Sequence, residues 1–110
     1  MVCYTTPMQI VPSVAGVPIR LTDERLAHIA RRHPDMDGQE NRILETVAEP
    51  DDVQVGDAGT WIAVRHYAST PLTEKYCAVV YREVSPEDRF VVTAYLTRQP
   101  ADWRQIRWTR

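Results

Sequence analysis

Three stretches decide the fold: WIAVRHY at residues 61–67, KYCAVVYRE at 75–83 and FVVTAYLT at 90–97. Each is rich in β-branched and aromatic residues, which suit a pleated, half-buried surface. The links between them, Ser69 to Thr73 and Ser85-Pro86-Glu87-Asp88, carry turn chemistry. Strands joined so closely pair antiparallel, because a parallel crossover needs about a dozen residues or more. A shorter run, Val53 to Val55, precedes them across Gly56-Asp57-Ala58-Gly59. Together they predict a four-stranded antiparallel meander.

Alternation along the strands assigns their faces. In the last one, Phe90, Val92, Ala94 and Leu96 are expected in the core, with Arg89, Val91, Thr93, Tyr95 and Thr97 on the other side. Ile62 and Val64 match the core face of their strand, which leaves Trp61, Ala63, Arg65 and Tyr67 opposite. Arg65, Tyr67, Thr93 and Tyr95 are thereby expected to share the face away from the helices.

Upstream the period changes. Leu21-Thr22-Asp23-Glu24-Arg25-Leu26 is a helix start: Thr22 can cap, Asp23 and Glu24 suit the positive end of the dipole, and Leu21 can staple onto Leu26. The helix must end near His33, because Pro34 disfavours helical geometry in the residue before it. Leu26, Ile29, Ala30 and His33 fall on one face, and Arg25, His28, Arg31 and Arg32 on the other. A second helix is expected from after Gly38 to about Glu49, stopped by Pro50. Residues 1–18 contain Pro7, Pro12 and Pro18 and read as an extended arm with a short strand near Met8 to Val11, able to pack on the domain or on a second copy. The expectation is an α+β domain over residues 19–110, with two N-terminal helices packed on the four-stranded meander and an extended N-terminal arm.

The 110 residues suit one domain. A formal net charge of −2 excludes a uniformly basic nucleic-acid glove, but the charge is unevenly placed. Residues 1–60 carry five Arg and ten acids, whereas residues 61–110 carry eight basic residues and five acids. An anion site therefore draws on the second half. Cys3 and Cys77 have no metal spacing, and a reduced, cytoplasmic protein follows from their use. No apolar run approaches the roughly 18 residues that span a membrane.

Metal ligation is disfavoured: His28 and His33 lie about 140° apart around a helix, where a shared ion needs neighbours at three or four residues. There is no Gly-x-Ser-x-Gly elbow and no phosphate loop among only four glycines. What the residues do offer is acid–base chemistry on a phosphate, which needs a base, an acid and cations. His28 has Arg31 and Arg32 at the next turn, though it reads equally as a solvated histidine. His33 reads equally as a hydrogen-bonded core histidine, Arg65 as an ion-pair partner of Glu74 or Glu83, and Thr93 and Tyr95 as plain strand formers. From Arg98 to Arg110 the tail interleaves Arg with Trp103 and Trp108, a combination that suits single-stranded RNA or tryptophans tucked onto the sheet.

Four segments taken together are more specific: Leu26-Ala-His-Ile-Ala-Arg-Arg-His-Pro34, Ala48-Glu-Pro-Asp-Asp-Val53, Val64-Arg-His-Tyr67 and Phe90-Val-Val-Thr-Ala-Tyr95. In these the chain resembles the phage and toxin-associated nucleases of the barnase–EndoU–colicin–RelE fold group, over about residues 19–97. The resemblance implies a metal-independent endoribonuclease without cofactor, leaving a 2′,3′-cyclic phosphate and a 5′-hydroxyl. Carried over by position, His28 or His33 is the general base or acid, Arg65 holds the phosphate, Thr93 hydrogen-bonds it, and Tyr95 donates a proton or stacks a base. Arg32 and Lys75 are second cations, and Tyr67 and Trp103 further substrate contacts. A toxin of this type implies RNA as substrate and a cognate antitoxin or immunity protein as partner. The rival expectation is a non-catalytic module presenting Arg65, Tyr67 and Tyr95 to RNA or protein, and a third is a homodimer built on the arm.

Overall fold

The computed structural model describes residues 8–110, so Cys3 and Pro7 of the expected arm lie outside the described residues. The protein is α+β, and its sheet is not the expected meander. Five strands lie in the order β6-β5-β4-β3-β7: β3 (Asp52–Val55), β4 (Trp61–Tyr67), β5 (Lys75–Tyr81), β6 (Val91–Thr97) and β7 (Ile106–Thr109). The fifth strand comes from the expected tail. It pairs antiparallel with β3, Trp108 opposite Val53, with a register shift between Val53 and Gln54. The helices do not open the fold either. In place of an extended arm, β1 (Met8–Pro12) and β2 (Pro18–Thr22) form an antiparallel hairpin that straddles residue 18. It docks beside β6, where the Arg20 N–H donates to the Arg89 carbonyl at 3.0 Å.

Helix α1 (Asp23–Arg32) begins as its residues dictate: the Thr22 hydroxyl accepts from the Arg25 N–H at 3.0 Å. It ends at His33, whose N–H donates to the Ile29 carbonyl ahead of a 3-10 turn over Pro34–Met36. Helix α2 (Glu40–Ala48) buries Ile43, Thr46 and Val47 and stops before Pro50. Both helices lie on one face of the sheet. Ile29, Ile43 and Val47 pack against Ala63, Cys77, Val79, Tyr81, Val91 and Ala94, all fully buried. Each such side chain contributes roughly 1.5–3 kcal/mol for the larger aliphatics.

The other face, here the outer face, carries a second apolar cluster of Ile62, Val64 and Ala78, with Tyr76, Val80 and Tyr95 against it. The expected faces of β4 are thereby exchanged. Ala63 faces the helices, whereas Ile62 and Val64 face away from them. In β6 a bulge places one extra residue, Val92, between the pairs Tyr81–Val91 and Val80–Thr93. Val91 joins Ala94 on the helix side for that reason, although three positions separate them.

Residues 98–105 connect the two outermost strands and so must cross the outer face. Four strand spacings amount to roughly 19 Å, and eight extended residues reach about 26 Å, so the crossing has little slack. It is stapled in two places. Gln54, 5% exposed, donates from Nε2 to the Ala101 carbonyl at 2.7 Å. Arg104 donates to Val55 O at 3.2 Å and to both carboxylate oxygens of Asp57 at 3.1 Å.

Candidate functional site

The cations of the strand half sort into bound and unbound. Arg65 pairs with Glu45 at 3.5 Å, Arg82 with Asp88 at 2.8 Å, Arg104 with Asp57 at 3.1 Å, and Arg107 with Glu83. Lys75, Arg89, Arg98 and Arg110 enter no ion pair among the described residues. Of these, Arg98 and Lys75 line one open cavity of about 550 Å³ at the end of the outer face, Lys75 from the first position of its strand, opposite Tyr67. His66, Tyr76 and Gln99 line it too.

Strand register builds this site. His66 of β4 pairs with Tyr76 of β5, which pairs with Thr97 of β6, so the three form one row on the outer face. The next row inward is Val64, Ala78 and Tyr95. The His66 backbone N–H donates to Asp51 Oδ2 at 2.8 Å, which ties the end of β4 to the start of β3. Its imidazole Nε2 lies 3.1 Å from Glu74 Oε2 and its ring meets Tyr76 edge-on, centroids 5.1 Å apart. The side chain remains 39% exposed, open to a ligand. With Nε2–H donating to the carboxylate, the neutral ring presents Nδ1 as its acceptor.

Glu74 owes its position to the turn before it. Thr73 sits at φ +89°, a left-handed conformation unusual for a β-branched residue. Its N–H donates to the Thr70 carbonyl at 3.0 Å, and the Thr70 hydroxyl donates back to the Thr73 carbonyl. Such a residue stores about 1–3 kcal/mol of strain, which the surrounding turn must offset.

The residues expected from sequence are scattered by comparison. Thr93 and Tyr95 do lie on the outer face. Arg65 and Tyr67 lie on the helix side, separated from them by the sheet. Arg65 donates to the Glu49 carbonyl, and Tyr67 donates to Glu45 Oε1 at 2.6 Å under the Arg42 guanidinium, 4.8 Å from its ring. Burial, together with the Glu45 hydrogen bond, raises the Tyr67 phenol above its ordinary range, so it serves as a structural donor. Glu74 and Glu83, the partners expected for Arg65, are taken by His66 and Arg107.

His33 ends α1 with its ring 5.8 Å from that of Tyr95, at the β6 edge. His28 lies on the outward side of α1 in a separate cavity of about 330 Å³. Arg32 is exposed at the end of the same helix. Trp103 is 72% exposed on the crossing segment, with the Arg104 guanidinium 4.3 Å over its ring. Lys75 alone of the expected second cations stands in the His66 cavity.

The residues that sequence reasoning missed are His66, Glu74, Tyr76 and Arg98. His66 stands inside the quoted Val64–Tyr67 motif, in which the resemblance assigns roles to Arg65 and Tyr67 alone. Pairing Tyr67 with Lys75 across the hairpin is the signal that brings Glu74 to it. Among the described residues no three His, Cys, Asp or Glu side chains gather to hold a metal ion. Burial pushes the Cys77 thiol up to about 11, so it is a core group and no nucleophile. No helix of the described residues is long and apolar enough to cross a membrane. Comparison with family models, curated proteins and solved structures gives no significant match for this chain.

Proposed function

We propose that the protein cleaves single-stranded RNA by acid–base chemistry at the outer-face cavity, within a reducing cytoplasm. One observation carries this reading: a carboxylate-partnered histidine, Nε2 3.1 Å from Glu74, shares a cavity with Lys75 and Arg98, two cations left unpaired. That is the parts list of a ribonuclease that uses only side chains. The resemblance to the barnase–EndoU–colicin–RelE group points to the same activity through partly different residues.

In this mechanism His66 Nδ1 takes the proton of the ribose 2′-hydroxyl. The 2′-oxygen attacks the adjacent phosphorus, and Lys75 and Arg98 hold the non-bridging oxygens as negative charge gathers on them. The bond to the 5′-oxygen breaks, and Tyr76, edge-on to His66, gives that oxygen a proton. The products are a 2′,3′-cyclic phosphate and a 5′-hydroxyl. Tyr95, one row inward, offers its ring to the neighbouring base. An oligoribonucleotide with EDTA present tests this: cyclic-phosphate ends are expected, and a single 2′-deoxy substitution at the cleaved nucleotide must block the reaction. Hydrolysis that survives that substitution contradicts it.

The exposed Trp103 favours one second reading, a module that binds single-stranded RNA by stacking and does not cut it. Tight binding of intact RNA under every condition supports that reading against the first.

A further inference from the structure

We propose that the outward face of α1 is a second phosphate-binding surface, holding single-stranded RNA beyond the cleaved linkage. This rests on the RNA reading only for the identity of the ligand. Arg25, His28 and Arg31 stand three residues apart along α1 and line one cavity of about 330 Å³ with Thr22 and Glu24. A second cavity of about 200 Å³ adjoins it through Thr22 and Arg25 and adds Arg20, Phe90 and Val91.

The arginines here have no carboxylate partner in an ion pair among the described residues. Arg20 donates to the Pro86 and Glu87 carbonyls at 2.8 and 3.1 Å, and Arg25 to the Val92 carbonyl at 3.3 Å. Those bonds fix the two guanidiniums without neutralising them. His28, Arg31 and Arg32 enter no ion pair among the described residues, so Glu24 is the carboxylate that opposes them in the cavity. Alternating cations with the Phe90 ring next door fits a strand that alternates phosphate and base, and fits an acidic peptide less well.

The helix also lies on a path from the His66 cavity. Its start is tied to β6 by Arg25, and its end places His33 5.8 Å from the Tyr95 ring. Tyr95 is one row from Thr97, Tyr76 and His66 on the outer face. A strand leaving that cavity can therefore turn round the β6 edge at His33 and run along the roughly 15 Å of α1, past Arg32 and Arg31 to Arg25.

The test uses 5′-labelled oligothymidylate, which has no 2′-hydroxyl and cannot be cut this way, so binding is read apart from cleavage. The full chain is expected to bind a strand of about 12 nucleotides more tightly than one of about four. Arg31→Gln is expected to weaken the long strand about fivefold near 50 mM salt, to flatten its salt slope by about 0.7, and to leave the short strand unchanged. Arg31→Lys should restore most of the loss. Equal affinity for both lengths, or an unchanged slope in Arg31→Gln, overturns the proposal. So does Arg31-dependent binding of polyglutamate without oligonucleotide binding, which assigns the face to an acidic protein. Length-dependent binding that needs Arg31, with no cleavage of RNA, keeps this surface and removes the catalytic reading alone.

Discussion

His66 Nε2 and Glu74 Oε2 meet at 3.1 Å across the β4–β5 hairpin, eight residues apart in sequence. In the proposed mechanism this contact orients an exposed strand histidine for acid–base work. Its geometry depends on Thr73, whose left-handed backbone turns Glu74 towards the ring. Replacing Thr73 by Gly removes the steric strain and is expected to leave stability equal or higher by about 1 kcal/mol. Turnover is expected to fall, because Glu74 is then less firmly placed, and Glu74→Ala should fall further. Melting temperature and initial rate, measured on the same samples, check this. A Thr73→Gly protein that gains stability and loses no rate contradicts the positioning role.

Lys75 and Arg98 act on phosphate in this account, and both sit at the rim of an open cavity. Lys75→Gln and Arg98→Gln should each raise KM and flatten the salt dependence of RNA binding by about 0.7. Stability should change by no more than about 0.5 kcal/mol at the exposed Arg98 and by up to about 1 kcal/mol at the half-buried Lys75. A titration of affinity against salt, with thermal melts alongside, measures both effects.

Arg98 is held in place by the crossing segment, so its staples should affect function at a distance. Gln54→Ala removes the donor to the Ala101 carbonyl and should cost about 1–2 kcal/mol as well as activity. Asp57→Asn loosens Arg104, with a definite pH dependence. The hydrogen bond and charge of Arg104 hold the Asp57 carboxyl below its ordinary pKa. A depressed folded-state pKa stabilises above the unfolded value, and that contribution is lost as pH falls through the folded one. Wild type should therefore exceed Asp57→Asn in melting temperature at neutral pH, and the gap should close in acid. A gap that widens in acid contradicts the pairing.

Arg65 has a structural task instead, tied to Glu45 and the Glu49 carbonyl on the helix side. Arg65→Gln should lower stability, by about 1 kcal/mol given its partial exposure. The rate per folded molecule should hold. Denaturant unfolding combined with rates at low temperature separates the two.

Much of the local structure was legible in the sequence, and the failures have identifiable causes. Thr22, Pro34 and Pro50 mark helix boundaries through capping and backbone restriction, which are local effects. Face assignment in β4 failed because the sheet is covered on both sides. Ile62 and Val64 are buried beneath the outer face while Ala63 is buried beneath the helices, so alternation alone carries no direction. The bulge at Val92 has no marker in sequence, and neither has the pairing of Ile106–Thr109 with a strand some fifty residues earlier. Candidate site residues inherited those errors: Arg65 and Tyr67 were placed with Tyr95 by a face assignment that the fold reverses. His66 and Glu74 came together only through the register of the hairpin.

The central claim is that His66 is the base. Single-turnover cleavage of a short oligoribonucleotide, in EDTA and with saturating protein, tests it most directly. Wild type is expected to produce cyclic-phosphate ends, and His66→Ala to lose on the order of 10²–10⁴-fold in rate, the usual contribution of a positioned acid–base group. Oligonucleotide affinity and melting temperature should stay close to wild type. Cleavage by His66→Ala at the wild-type rate would contradict the account.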